Sequence, residues 1–247
     1  MKSNIASILF IILASSCSNE LVFENKDFNK KSALLCKKNC SEIKVTIPYA
    51  KNNSIASDSI NKRIFDAIKD LVCLENKKFE KEEYKMLLAC FIHSYETTKE
   101  AFPDATFGWD ASVRATVKHQ SEAILNVEIF HYIFTGGAHG YEGLKSLLFD
   151  PKTGKIISNE KLFVNVFELK KVVETKFRTK YQIPSEGSIN QTGYWFANNE
   201  FQLPKNIFFT KKGVLFYYNS YEIAAYAEGP KTLLLSYDSL KDHLMLK

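Results

Sequence analysis

"ASVRATVKHQSEAILNVEIFHYIFTGGAHGYEGLKSLLFD" occupies residues 111–150, and its reading decides the fold. Ala111 to Val117 alternates apolar and polar residues, and so does Ala123 to Phe130. Period-two alternation marks half-buried strands, and the polar Gln120-Ser121-Glu122 between them marks a tight turn. Leu144–Asp150 reads as a third strand, closed by the turn signal Asp150-Pro151-Lys152-Thr153-Gly154-Lys155. Between the second and third strands, Thr135-Gly136-Gly137-Ala138-His139-Gly140 holds three of the chain's ten glycines. Glycine reaches positive φ without penalty, so Gly136-Gly137 can turn the chain sharply where a strand ends. Ala138 and Gly140 are small, which leaves His139 as the one side chain of size. Such a cluster is first of all a backbone device, a bulge or tight connection whose histidine bonds the loop to itself. It is also a place where a partner could approach closely and meet an imidazole. On that reading Gly136, Gly137 and His139 are binding candidates.

Outward from this stretch, the flanks mix helix and strand. Glu42–Pro48 alternates, with Ile43, Val45 and Ile47 on one face. From Ser57 the period changes: Ile60, Ile64, Ile68 and Leu71 follow at helical spacing behind a cap at Ser57 or Asp58. A second helix is expected from about Lys81 to Lys99, ended by Phe102-Pro103-Asp104, and a third from about Asn165 to Tyr181. Residues 183–204 are irregular and contain Tyr194-Trp195-Phe196. Short strands near Ile207–Thr210, Val214–Tyr218 and Leu233–Leu235 and a terminal helix at Ser239–His243 complete the pattern. Grouped rather than alternating elements predict an α+β fold, an antiparallel sheet with helices packed on it.

The N-terminus speaks to compartment. Lys2, an apolar run from Ile5 to Ala14 and the small residues Ala14-Ser15-Ser16 are ordered as in a secretory signal, expected over residues 1–16. The run is shorter than the ~20 residues a membrane-spanning helix needs. Cys17 directly after small residues resembles a bacterial lipobox, so Cys17 would be acylated and anchor the chain to a membrane. Ser18 beside it is compatible with outer-membrane sorting. Residues 17–41 are expected to be the lipidated N-terminus and a tether, and residues 42–247 the domain. Cys36, Cys40, Cys73 and Cys90 remain, an even number that in an exported domain predicts two disulfides, with three pairings open.

The net charge of +5 is spread along the chain, with no basic stripe of the kind nucleic acid requires. Five histidines are present. In the predicted hairpin His119 and His131 lie roughly 20 Å apart along the sheet, too far to share a metal there. No zincin, phosphate-loop or nucleophile-elbow motif occurs, and neither a cofactor nor a metal is expected. Phe107-Gly108-Trp109 and Tyr194-Trp195-Phe196 are aromatic clusters. Because loops carry much binding function, Tyr194, Trp195 and Phe196 join the binding candidates.

Two runs carry a family resemblance. "AILNVEIFHYIFTGGAHGYEGLKSLLFDPKTGKIISNEKLF" and "GVLFYYNSYEIAAYAEGPKTLLLSYDSL", with Ile60-Asn61 at the first helix, resemble the RsiV-like extracytoplasmic domain family. That family also forms the N-terminal part of the peptidoglycan deacetylase PdaC. The resemblance covers about residues 42–243 and implies an α+β domain outside the cytoplasm, with lysozyme as the partner in RsiV. Ser220 and Ala225 stand where the family pattern has prolines, so those turns are less pre-set here. The implied function is a cell-envelope binding module for a lysozyme-like muramidase or for peptidoglycan. The alternatives are an enzyme acting on cell-wall polymers through carboxylates, or an assembly lipoprotein binding another envelope protein. Lysozyme is basic, so a chain of net positive charge is not steered toward it.

Overall fold

The computed structural model describes residues 21–36, 40–51, 54–73, 79, 81–104 and 106–245. The expected signal peptide and Cys17 lie outside them. The first unit runs β1 (Phe23–Lys31), β2 (Glu42–Ala50), α1 (Ile55–Val72), α2 (Tyr84–Ala101), β3 (Asp110–Gln120), β4 (Leu125–Phe134) and β5 (Tyr141–Phe149). Its strands form one sheet in the order β1-β2-β3-β4-β5. β2 and β3 are parallel, because α1 and α2 carry the chain back between them; the other pairs are antiparallel. β1 corrects the expectation of a tether over residues 17–41. Phe23–Lys31 pairs with β2 from Phe23↔Ala50 to Lys31↔Glu42. An edge strand can be almost wholly polar, so backbone pairing, not side-chain alternation, holds it, and its pattern is faint.

Apolar stripes explain the packing. Ile43, Val45 and Ile47 of β2 are buried against Ile60, Ile64 and Ile68 of α1 and Leu88 and Phe91 of α2. Trp109 joins this core, its ring 5.7 Å from that of Phe91. The cap of α1 is Ser54, whose hydroxyl accepts from the Ser57 N–H at 3.1 Å, and the predicted cap Ser57 is buried inside the first turn. Cys73 at the end of α1 is bonded to Cys90 in α2, and Cys36 to Cys40 in the β1–β2 connection. Each bridge joins neighbours in sequence, which settles the three open pairings.

The second unit contains α3 (Val166–Lys180), β6 (Asn206–Thr210), β7 (Gly213–Tyr218), β8 (Lys231–Leu235) and α4 (Tyr237–Leu240). The three strands form an antiparallel sheet. The Asn165 side chain caps α3 by accepting from the N–H groups of Phe167 and Glu168. Leu169, Val173 and Phe177 then enter a core with Phe196, Phe201, Phe216 and Tyr218.

Asparagine side chains join the two units. Asn126 of β4 is fully buried. Its oxygen accepts from the Phe209 N–H of β6 at 2.9 Å, while its nitrogen donates to Ser146 Oγ at 2.9 Å and to the Leu147 carbonyl at 3.2 Å. Along the outer edge of β5, the Ser146 N–H donates to Asn206 Oδ1 at 3.0 Å. The Leu144 N–H donates to Asn219 Oδ1 at 2.7 Å, and Asn219 Nδ2 donates to the Leu144 carbonyl at 3.0 Å. The carboxamide of Asn219 thus makes the pair of bonds that a neighbouring strand would make. Asn126→Ala should lower unfolding free energy by about 2–3 kcal/mol, because it orphans the buried Phe209 N–H. Urea denaturation of the variant measures this, and an unchanged midpoint would count against the seam.

Candidate functional site

The glycine motif is the connection from β4 to β5. Gly136 and Gly137 adopt φ of 109° and 94°, values that suit glycine and turn the chain as the sequence predicts. His139 Nδ1 lies 2.8 Å from the Gly140 carbonyl, so the imidazole bonds the loop to itself. The other glycines make room. A Cβ on Gly140 would meet the Tyr132 ring at 2.5 Å. A Cβ on Gly143 would meet the His131 ring at 2.8 Å and Asn219 Oδ1 at 2.9 Å. Gly143 therefore lets a buried histidine and the incoming Asn219 share the surface of β5.

Asn219 begins the second motif, residues 219–229, which folds over the first. The Tyr226 ring stacks on His139, with centroids 4.3 Å apart and planes 22° from parallel. Tyr226 Oη donates to the Gly140 carbonyl, and Tyr141 Oη to the Ser220 carbonyl, each at 3.4 Å. Tyr221 continues the ladder, its ring 5.1 Å from that of Tyr226. It is 53% exposed and has a φ of 68°, a left-handed conformation that costs a side chain about 1–3 kcal/mol. Glu222 Oε2 accepts from the Asn219 N–H at 2.9 Å. Burial pushes the Glu222 carboxyl up, and the N–H groups of Asn219 and Lys205 partly offset this. Ala225 keeps a φ of −59°, close to the angle a proline would impose, so the turn persists without it.

The third candidate stretch divides. Phe196 is 4% exposed, and its ring is 5.9 Å from that of Phe177 in the second core, so its side chain is not displayed. Tyr194 is half-buried beside Phe177, and burial raises its phenol to about 12. Trp195 is 48% exposed, and its backbone N–H donates to the Ile223 carbonyl at 3.1 Å, which attaches it to the second motif. Gly136, Gly137, His139 and Trp195 thus belong to one constellation of three segments. Sequence reasoning missed Tyr221 and Tyr226 as site residues, although the motif holding them was visible. Their role depends on the packing of two loops far apart in the chain. Phe107 is drawn in too, lying 3.0 Å from where a Cβ on Gly136 would sit. A shallow hollow of about 410 Å³ between β1 and α2 shares no residue with this constellation. Among the described residues no cluster of histidine, cysteine and carboxylate side chains could hold a metal, and no helix is long and apolar enough to cross a membrane.

The two motifs fall in two family matches. The PdaC deacetylase family matches residues 35–142, and DUF3298, a family of proteins of unknown function, matches residues 160–238. The resemblance to RsiV-like domains is borne out. The PdaC match points to an extracytoplasmic envelope domain. A DUF3298-family crystal structure from Bacteroides fragilis superposes with a TM-score of 0.71 at 20% identity, covering 91% of this chain and 93% of that one. A second, from Pseudomonas aeruginosa, gives a TM-score of 0.60 at 18% identity over 91% and 94%. At such identities the likeness shows the fold. A comparison with curated proteins returns no match. Asn126, inside the PdaC match, bonds the Phe209 N–H inside the DUF3298 match, while residues 143–159, with most of β5, fall in neither.

His131, beneath the site, is 6% exposed, and its Nδ1 has no hydrogen-bond partner among the described residues. Burial first, and the Lys145 charge second, lower its pKa from the ordinary 6.5. The neutral ring is therefore the folded form. Well above pH 6.5 both folded and unfolded states hold it neutral, and it contributes no pH dependence. Below that pH the unfolded chain takes the proton first, so stability falls. Between about pH 7.5 and about pH 5, the urea midpoint should drop more for the native protein than for His131→Gln. Equal drops would show that the ring is not held neutral.

Proposed function

We propose that this domain is an envelope binding module whose partner is a basic, lysozyme-like muramidase, engaged through the face built by the two motifs. One observation carries this reading: exposed, braced aromatics stand on segments that contain acids and no bases of their own. Residues 135–143, 190–200 and 219–229 include Glu142, Glu200, Glu222 and Glu228 and no lysine or arginine. The flanking Lys231 pairs with Glu228 at 3.1 Å and the Lys205 charge acts on Glu222, while Glu142 and Glu200 form no ion pair among the described residues. Steering depends on the potential at the contact, not on net charge, so the overall +5 is no obstacle to a basic partner. Tyrosine and tryptophan held rigidly at a surface are the residues that most often dominate protein interfaces. Stacked rings also accept arginine and lysine side chains through cation–π contact. Anchorage through an acylated Cys17, at the outer membrane where the cell has one, belongs to the same proposal.

Calorimetric titration with a lysozyme should show binding that weakens as salt is raised. Tyr221→Gly separates recognition from folding, because glycine accepts the left-handed backbone of residue 221. Its thermal stability should hold or rise, while affinity falls about tenfold or more. Retention on purified peptidoglycan without lysozyme binding would transfer the site to cell-wall glycan, and binding to neither would remove the reading.

A further inference from the structure

The five-stranded sheet has two edges, and the protein treats them differently. The outer edge of β5 is covered, by the carboxamides of Asn219 and Asn206 and by the Ile157 N–H on the Leu148 carbonyl. β1 is the opposite edge, and no other described strand pairs with its outer side. An uncovered edge presents a row of backbone donors and acceptors that can template another strand. The hollow of about 410 Å³ lies along this edge, lined by Asp27, Phe28, Asn29 and Lys30 of β1 and by Lys85 and Leu88 of α2. A strand edge beside a helix is the arrangement into which extended peptides dock by adding a strand.

The side chains indicate what kind of peptide. Phe28 and Lys30 are two residues apart, on one side of β1. Phe28 stacks on Tyr84 of α2 at 4.7 Å, so that side looks toward the helix. Lys85 and Leu88, three apart, share a face of α2. The hollow therefore combines apolar surface from the half-buried Phe28 with two cations, Lys30 and Lys85, above the buried Leu88. Neither cation has an ion-pair partner among the described residues. Asp27 points to the other side, where its carboxylate accepts from Thr46 Oγ1 at 2.6 Å. An incoming strand would lie about 4.8 Å from β1, with alternate side chains facing α2. Apolar and acidic residues in turn at those positions would meet Phe28, then Lys30 and Lys85.

We propose that the β1 edge docks an extended acidic segment of another protein, which adds to the sheet as a sixth strand between β1 and α2. This does not rest on the loop face. The probe is a soluble eight-residue peptide, TVTETVTE, with TVTKTVTK as its charge-reversed counterpart. With the whole protein, TVTETVTE should bind and slow hydrogen exchange of the β1 amides that face away from β2, whereas TVTKTVTK should not bind at the same concentration. The double variant Lys30→Glu, Lys85→Glu changes two exposed side chains and should keep its thermal midpoint. Its affinity for TVTETVTE should fall about tenfold or more. Equal binding of the two peptides, or binding that leaves β1 exchange unchanged, would overturn the proposal. So would protection, without peptide, of the β1 amides that face away from β2, since the edge would then be covered by the chain's own residues 1–20 or by a second copy.

Discussion

The structure turns on backbone groups at the edges of β5 and β6 that no other described strand satisfies. Leu144, Ser146 and Phe209 each present an N–H where the two sheets meet, and asparagine carboxamides accept all three bonds. A carboxamide carries the same donor and acceptor pair as a peptide unit, so it can end a sheet without adding a strand. Asn61 makes the corresponding bonds inside the first unit, accepting from the Ala50 N–H at 2.9 Å and donating to its carbonyl at 3.0 Å. A buried bond of this kind adds little net stability when made and costs far more when broken, so it specifies one relative placement of the parts.

The aromatic face follows from that placement. Asn219 reaches β5 because Gly143 has no side chain, and the residues after Asn219 are thereby laid across the glycine loop. His139 is then the surface on which Tyr226 stacks, and Tyr221 is held outward with a strained backbone. Strain of this kind persists only where the surroundings over-determine it, which here means Glu222 on the Asn219 N–H and the ring ladder beneath. The residue that first drew notice, His139, is a support for the display; the exposed rings are on its neighbours.

Much of this was legible in the chain. The strands of the central hairpin, the apolar stripe of α1, the Asn165 start of α3 and the turn at Gly136-Gly137 all follow from local periodicity and backbone chemistry. β1 was not legible, because an edge strand needs few apolar residues and so leaves no clear period. Nor was the burial of Phe196 and Trp109, since an aromatic in an irregular segment reads the same whether it faces solvent or core. Net charge also says nothing of distribution: the +5 of the whole chain includes three segments with acids and no bases, which come together only after folding.

By itself the amino-acid sequence determined the class of fold, the places where the backbone must turn and the presence of two paired signatures, because these depend on neighbours within a few residues. Only the tertiary structure decided that the signatures touch, which cysteines pair, that one sheet edge is closed by side chains while no other described strand pairs with the outer side of the opposite one, and which aromatics are displayed. Those outcomes depend on contacts between residues far apart in the chain, as between Tyr226 and Gly140, 86 positions away, and no local pattern records such a contact.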